Sequence, residues 1–161
     1  MDATMSTRSA CILLLALAAA SNACALEAVP EGLPPLAAAS APPNPYRGNA
    51  AVLEAGGAAY ERYCAECHGE RASRPVAEGP DLRRLNTFCK QLEDGALKAH
   101  CLADVDTYFL YSVREGKLRA GQMHMPAWKN VLPAETIWAI RSFTETRALP
   151  PPRTLPDLPR R

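Results

Sequence analysis

Cys64-Ala65-Glu66-Cys67-His68 is the stretch on which the fold and the chemistry of this chain turn. Two thiols three positions apart can each add to one vinyl group of a haem, while the adjacent imidazole coordinates the iron. Two other chemistries use a Cys-x-x-Cys pair. A redox dithiol wants a βαβ setting, and the flanks here read as helix. A zinc site needs a second ligand pair at short spacing, whereas Cys89 and Cys101 are separated by eleven residues with nothing nearby to complete it. One covalently attached haem c is the expectation, and the porphyrin would supply much of the core of a small helical domain.

The iron's other axial ligand has to come from elsewhere. Met125, in Met123-His124-Met125-Pro126-Ala127-Trp128, is the candidate. A thioether is a weak, neutral ligand that favours ferrous iron and so raises the potential relative to a second histidine. A lone Met is more often core filler, but this one lies 57 positions after His68, in a stretch read as a loop between two helices, and a proline follows it. Met123 and His124 remain the alternatives, and His100 reads as a surface histidine. Pro80 is a candidate for the outer contact of His68. Metal-bound imidazoles usually donate their second N–H to a carbonyl or carboxylate, and a proline offers a carbonyl without a competing donor. The plain alternative is an ordinary turn proline.

The chain has 161 residues, 18 of them Lys or Arg and 17 Asp or Glu, so no charge excess points to nucleic acid or an acidic membrane surface. Six of the 15 prolines fall in 28–47 and five in 149–161, leaving a folded unit of about a hundred residues. Arg8, the apolar run Cys11–Ala20 and Ala23-Cys24-Ala25 predict a secretory signal over 1–25, cut after Ala25. Acylation of Cys24 is the alternative, although Ser21-Asn22-Ala23 places polar residues where such a signal normally has an aliphatic one. Cleavage leaves Cys64, Cys67, Cys89 and Cys101. In an oxidising compartment Cys89 and Cys101 read as a disulfide, worth up to about 3 kcal/mol by chain entropy; a reactive thiol pair is the other possibility.

Residues 26–47 read as a disordered or polyproline-like linker, 48–148 as the domain and 149–161 as a proline-rich tail. A first helix is predicted over Ala50–Tyr63. Its Gly56-Gly57 pair costs roughly 1 kcal/mol per residue relative to Ala, which suggests that another backbone or ring comes close there. A short helix from Pro80 to Phe88, a charged excursion over Cys89–Cys101, a helix over Val105–Glu115 capped by Asp104 and stopped by Gly116, a loop over Gln122–Leu132 and a last helix over Ala134–Arg147 complete the pattern. No strand is predicted.

With the attachment pentapeptide, Gly79-Pro80-Asp81-Leu82, Met125-Pro126 and a terminal helix in place, residues 48–148 resemble class I cytochrome c. The resemblance implies an all-α fold of four to five helices around one haem. It also implies that the first and last helices cross, with Gly56 and Tyr60 meeting Ile140 and Phe143, and that the protein carries electrons rather than catalysing a reaction. Pro133 departs from the family, which commonly has Ser or Thr before the last helix. Asn44-Pro45-Tyr46-Arg47-Gly48-Asn49, the cysteine-bounded excursion, and Val105-Asp-Thr-Tyr-Phe with Val113-Arg-Glu-Gly116 resemble a narrower group. These are the periplasmic cytochromes c that accept electrons from quinoprotein (PQQ) alcohol dehydrogenases. That likeness implies a periplasmic monomer passing electrons to a terminal oxidase or another cytochrome. A haem subunit of a larger tethered complex, or a gas-binding or enzymatic haem protein should Met125 not ligate, are the alternatives.

Overall fold

A computed structural model describes residues 26–37, 41–73 and 79–149. The predicted signal, and all of the predicted tail beyond Leu149, lie outside them. The described chain is mainly helical: α1 (Leu53–Tyr63), α2 (Ala65–His68), α3 (Thr87–Gln91), α4 (Gly95–Glu115) and α5 (Ala134–Thr146), with a hairpin of β1 (Lys117–Arg119) and β2 (Gln122–Met125) between α4 and α5. Ala50–Val52, predicted as the start of the first helix, form a separate 3-10 turn capped by the Asn49 side chain. The helix predicted from Pro80 to Phe88 is instead a 3-10 turn at Leu82–Arg84 followed by α3.

The α1–α5 crossing organises the rest. A Cβ on Gly56 would lie 2.2 Å from the Ala139 carbonyl oxygen, and one on Gly57 would lie 3.1 Å from the Phe143 ring. The two glycines thus admit a backbone and a ring respectively, which accounts for their cost in the helix. Tyr60 packs on Phe143 with ring centroids 5.5 Å apart. Around the crossing, Tyr60, Phe109, Val113, Leu132, Ile137 and Ile140 form the main core. Pro133 opens α5 without a side-chain cap.

Three sequence expectations are corrected. First, α4 starts ten residues before Val105: Asp94 caps it, Oδ1 accepting the Leu97 N–H at 2.7 Å. Asp104 lies mid-helix, exposed, 3.7 Å from His100. All the buried residues of α4 fall at or after Asp106, so its first turns carry no apolar stripe for periodicity to reveal. A Cys89–Cys101 disulfide, with Cα atoms 5.6 Å apart, ties those turns to α3. Secondly, part of the predicted Gln122–Leu132 loop is strand. β2 pairs antiparallel with β1 (Leu118 opposite Met123, Arg119 opposite Gln122) through a two-residue turn, Ala120-Gly121, with φ of 49° and 78°. Such turns demand positive φ at both positions and normally advertise themselves with Asn-Gly or Asp-Gly; alanine does not.

Thirdly, the described residues of the predicted linker, 26–37 and 41–47, include several that pack on the domain. Leu33 and Tyr46 are buried with Val52, Trp138 and Ala139 in a second cluster. The Asn44 N–H donates to Asp106 Oδ2 at 2.8 Å, and its side-chain amide donates to Ser142 Oγ at 3.0 Å. Arg47 bonds both Asp106 oxygens at 2.8 Å and Glu145 at 2.6 Å. Arg141, itself buried, donates to Asp106 at 3.0 Å. A proline- and alanine-rich composition suggests too little apolar surface to order this segment; a few anchoring side chains and a buried carboxylate in need of donors supply what composition cannot show.

Gly56→Ala should cost about 3 kcal/mol, because a backbone carbonyl cannot move aside for the new methyl. Gly57→Ala should cost much less, since it meets the edge of a side chain and gains roughly 1 kcal/mol of helix propensity. Urea unfolding of the two variants measures the difference.

Candidate haem site

The attachment pentapeptide forms where α1 ends and α2 begins. Cys64 still donates its N–H to the Tyr60 carbonyl of α1 at 2.9 Å, and its own carbonyl accepts from His68 at 2.9 Å. Both thiols are unbridged, Cys64 half-buried and Cys67 exposed. Burial, helped by Cys67 and Glu61, pushes the Cys64 thiol up to about 12. A redox dithiol works through a depressed thiol pKa, so this environment opposes the dithiol alternative. Among the described residues no three His, Cys, Asp or Glu side chains gather as a metal cluster.

His68 is buried, with Nδ1 2.9 Å from the Pro80 carbonyl oxygen. That contact places the ring proton on Nδ1 and leaves the lone pair on Nε2. The approach depends on Gly79, where a Cβ would lie 2.3 Å from the Cys67 carbonyl oxygen and 2.9 Å from His68 Nδ1. Behind Pro80, Asp81 accepts from Arg83 Nε and Nη2, both at 2.8 Å, while Arg83 Nη1 donates to the Ala148 carbonyl at 3.0 Å. This pair, almost completely buried, anchors the Pro80 turn to the chain just beyond α5. The Arg83 hydrogen bonds hold the Asp81 carboxyl below its ordinary value. Tyr60 steadies the other flank by donating to the Gly69 carbonyl at 2.8 Å.

Met125 ends β2, half-buried against the main core, which Cys64 and Trp128 also border. Met123 and His124 are exposed. Gly116, read from sequence only as a helix stop, has a second role. A Cβ there would lie 2.4 Å from the Met125 carbonyl oxygen and 2.9 Å from the Ala127 nitrogen, and its φ is +72°. Only glycine lets the Met125–Ala127 backbone lie so close. The N–H groups of Trp128 and Lys129 donate to the Val113 and Arg114 carbonyls at 2.9 and 3.3 Å. They satisfy two acceptors that the end of α4 would otherwise leave open.

The donor set suits a covalent haem: two unbridged thiols at the required spacing, an imidazole oriented through its far nitrogen, and a thioether on the same apolar cluster as one of the thiols. Together with the helical fold, it defines a cytochrome c. The chain belongs to the cytochrome c family described as cytochrome c oxidase, cbb3-type, subunit III, which matches residues 51–143. It is similar to cytochrome c550 of Pseudomonas aeruginosa, 36% identical over a 121-position alignment that covers 72% of each chain. No solved structure gives a significant match. The protein binds haem c covalently and is an electron-transfer protein rather than an enzyme.

Asp81→Asn should cost about 3 kcal/mol near neutral pH, because it leaves the buried Arg83 charge uncompensated. The native Asp81 carboxyl titrates below its ordinary 3.8. Its stabilisation is therefore present above that value and lost as pH falls through the depressed one. Urea unfolding as a function of pH should show wild type and variant converging only in strong acid.

Proposed function

We propose that this chain is an exported, periplasmic, monomeric single-haem carrier. It takes electrons from a quinoprotein (PQQ-dependent) alcohol dehydrogenase and passes them to a terminal oxidase or another cytochrome. In this assignment Cys64 and Cys67 would hold the haem through thioethers, and His68 Nε2 and Met125 Sδ would ligate its iron. When bound, haem c supplies a one-electron ferrous–ferric couple. The carrying observation is that Met125, alone of Met123, His124 and Met125, turns into the core, while His68 is already oriented by Pro80. With His68 and Met125 both committed to the iron, the chain would leave no ligand position for a substrate.

By accepting the hydrogen bond from Nδ1–H, the Pro80 carbonyl keeps Nε2 electron-rich. Met125 contributes no charge and so favours the ferrous state. Support for the donor comes from the narrower resemblance, whose segments Asn44–Asn49 and Val105–Phe109 touch through Asn44, Arg47 and Asp106. Export is supported by the Cys89–Cys101 bridge, which persists in an oxidising compartment. With 13 basic and 13 acidic residues over 48–148, a small transient interface would have to be steered by local patches. No nucleic-acid partner is implied.

The family's description favours one second reading, a haem subunit of an oxidase-type complex, tethered through Cys24 or the flanking segments. Among the described residues no helix is long and apolar enough to cross a membrane. Mass spectrometry of the mature N-terminus separates the two readings: an acylated Cys24 supports the tethered one, a chain starting at Leu26 the free carrier.

Met125→His should keep the iron six-coordinate and low-spin and lower the reduction potential by roughly a few tenths of a volt, within the span that axial ligands command. Met123→Leu should leave it nearly unchanged. Redox titration of both variants tests the ligand; a large drop with Met123→Leu alone would reassign it. Stopped-flow reduction of the ferric protein by a PQQ-dependent alcohol dehydrogenase with ethanol tests the donor, and absence of haem reduction would refute it.

A further inference from the structure

Glu27 sits in the segment before the first helix, far from the haem motif in sequence, yet it contacts both the residue before Cys64 and the loop after Met125. Its backbone N–H donates to the Val131 carbonyl at 2.8 Å, in the loop that follows Met125. Its carboxylate accepts from the hydroxyl of Tyr63, the residue immediately before Cys64, and from Arg62 at 2.9 Å. The Tyr63 ring meets Trp128 edge-on, with centroids 5.4 Å apart, and the Trp128 carbonyl accepts from the Val131 and Leu132 N–H groups at 2.9 and 2.8 Å. A single side chain and its own amide thus join the end of α1 to the loop Pro126–Leu132 at two points.

On its other side that loop is held by α4, through the Trp128 and Lys129 amides and a 2.7 Å ion pair between Lys129 and Glu115. Between the segment Glu27–Pro30 and α1 the packing is incomplete. A cavity of about 410 Å³ lies under the segment Glu27–Pro30, lined by Ala55, Ala59, Arg62, Leu132 and Thr136, and the buried Thr136 hydroxyl has no hydrogen-bond partner. Polar contacts rather than packing therefore hold the segment down. Of these, the Arg62 pair is largely solvated, and such pairs contribute little. The weight falls on the Tyr63 hydroxyl and on the backbone bond to Val131.

We propose that Glu27 is a positioning residue for Met125: it latches the amino-terminal segment across the end of α1 and, through Tyr63, Trp128 and Val131, holds the Met125 loop closed over the haem side of the core. The role at the iron rests on Met125 being the axial ligand; the clamping of the loop does not.

Two readouts on the mature haem-loaded protein keep these apart. Imidazole, titrated into the ferric protein, has to displace the axial ligand, so its affinity measures how firmly the loop presents Met125. Amide hydrogen exchange at Val131 and Leu132 measures the loop itself. Glu27→Ala and Tyr63→Phe should each tighten imidazole binding at least tenfold and speed exchange at both amides at least tenfold. Arg62→Ala should change either by no more than about twofold. Because Tyr63→Phe keeps the ring on Trp128, it separates loss of the latch from loss of packing, and the double variant should add little to either single one. Unchanged exchange in both Glu27→Ala and Tyr63→Phe would overturn the latch. Should wild type bind imidazole as tightly as Met125→Ala, the ligand assignment fails instead, and the exchange data alone decide the clamp.

Discussion

Two helices whose backbones touch set the frame for everything else in this protein. With the Ala139 carbonyl seated where a Gly56 Cβ would be, α1 and α5 can meet in one register only. That register brings Tyr60 against Phe143, one turn before the end of α1. The attachment turn, Cys64 to His68, begins there. Side chains that must act together are consequently carried on a rigid element, and the geometry of the thiols and imidazole follows from backbone contact rather than from loop conformation.

A second constraint works at the opposite side of α5. Asp106 has no exposure, and a buried carboxylate is tolerated only with full compensation. Arg141 and Arg47 supply charge, and the Asn44 amide supplies a further donor. Removing either arginine would strand charge in the interior, so this cluster fixes α4, α5 and the amino-terminal segment together. It also gives the segments behind the narrower family likeness a structural purpose, since Asn44–Arg47 and Asp106 recognise each other. Their pairing is a reason for them to occur together in one chain.

What is legible in the sequence is local chemistry. Cys64, Cys67 and His68 carry their meaning in a five-residue window, and the Gly56-Gly57 pair announces a close neighbour through its helix cost alone. Pro80 stands out because a carbonyl without a donor suits an imidazole proton. The misses share a different cause. Ala120 adopts a positive φ without the Asn or Gly that would flag a hairpin. Asp94 caps α4 ahead of Gly95 and a first half lacking buried residues, so the sequence pattern points instead to the next candidate cap, Asp104. The composition of 26–47 argues against order, yet Leu33, Asn44 and Tyr46 find partners that only the folded chain assembles. Glu27 and Tyr63 lie 36 positions apart, and no pattern in either neighbourhood points to the other.

The same long separations carry a consequence for synthesis. Chains emerge amino-terminus first, and local contacts form before distant ones. Asn44 finds its Asp106 acceptor 62 residues later and its Ser142 partner 98 residues later. The segment that is made first is therefore among the last to be secured. Until α5 is complete, Asn44 lacks Ser142, Arg47 lacks Glu145 and Asp106 lacks Arg141. Closure of the molecule is in effect reported at its beginning: the early segment settles only once the last helix has been delivered.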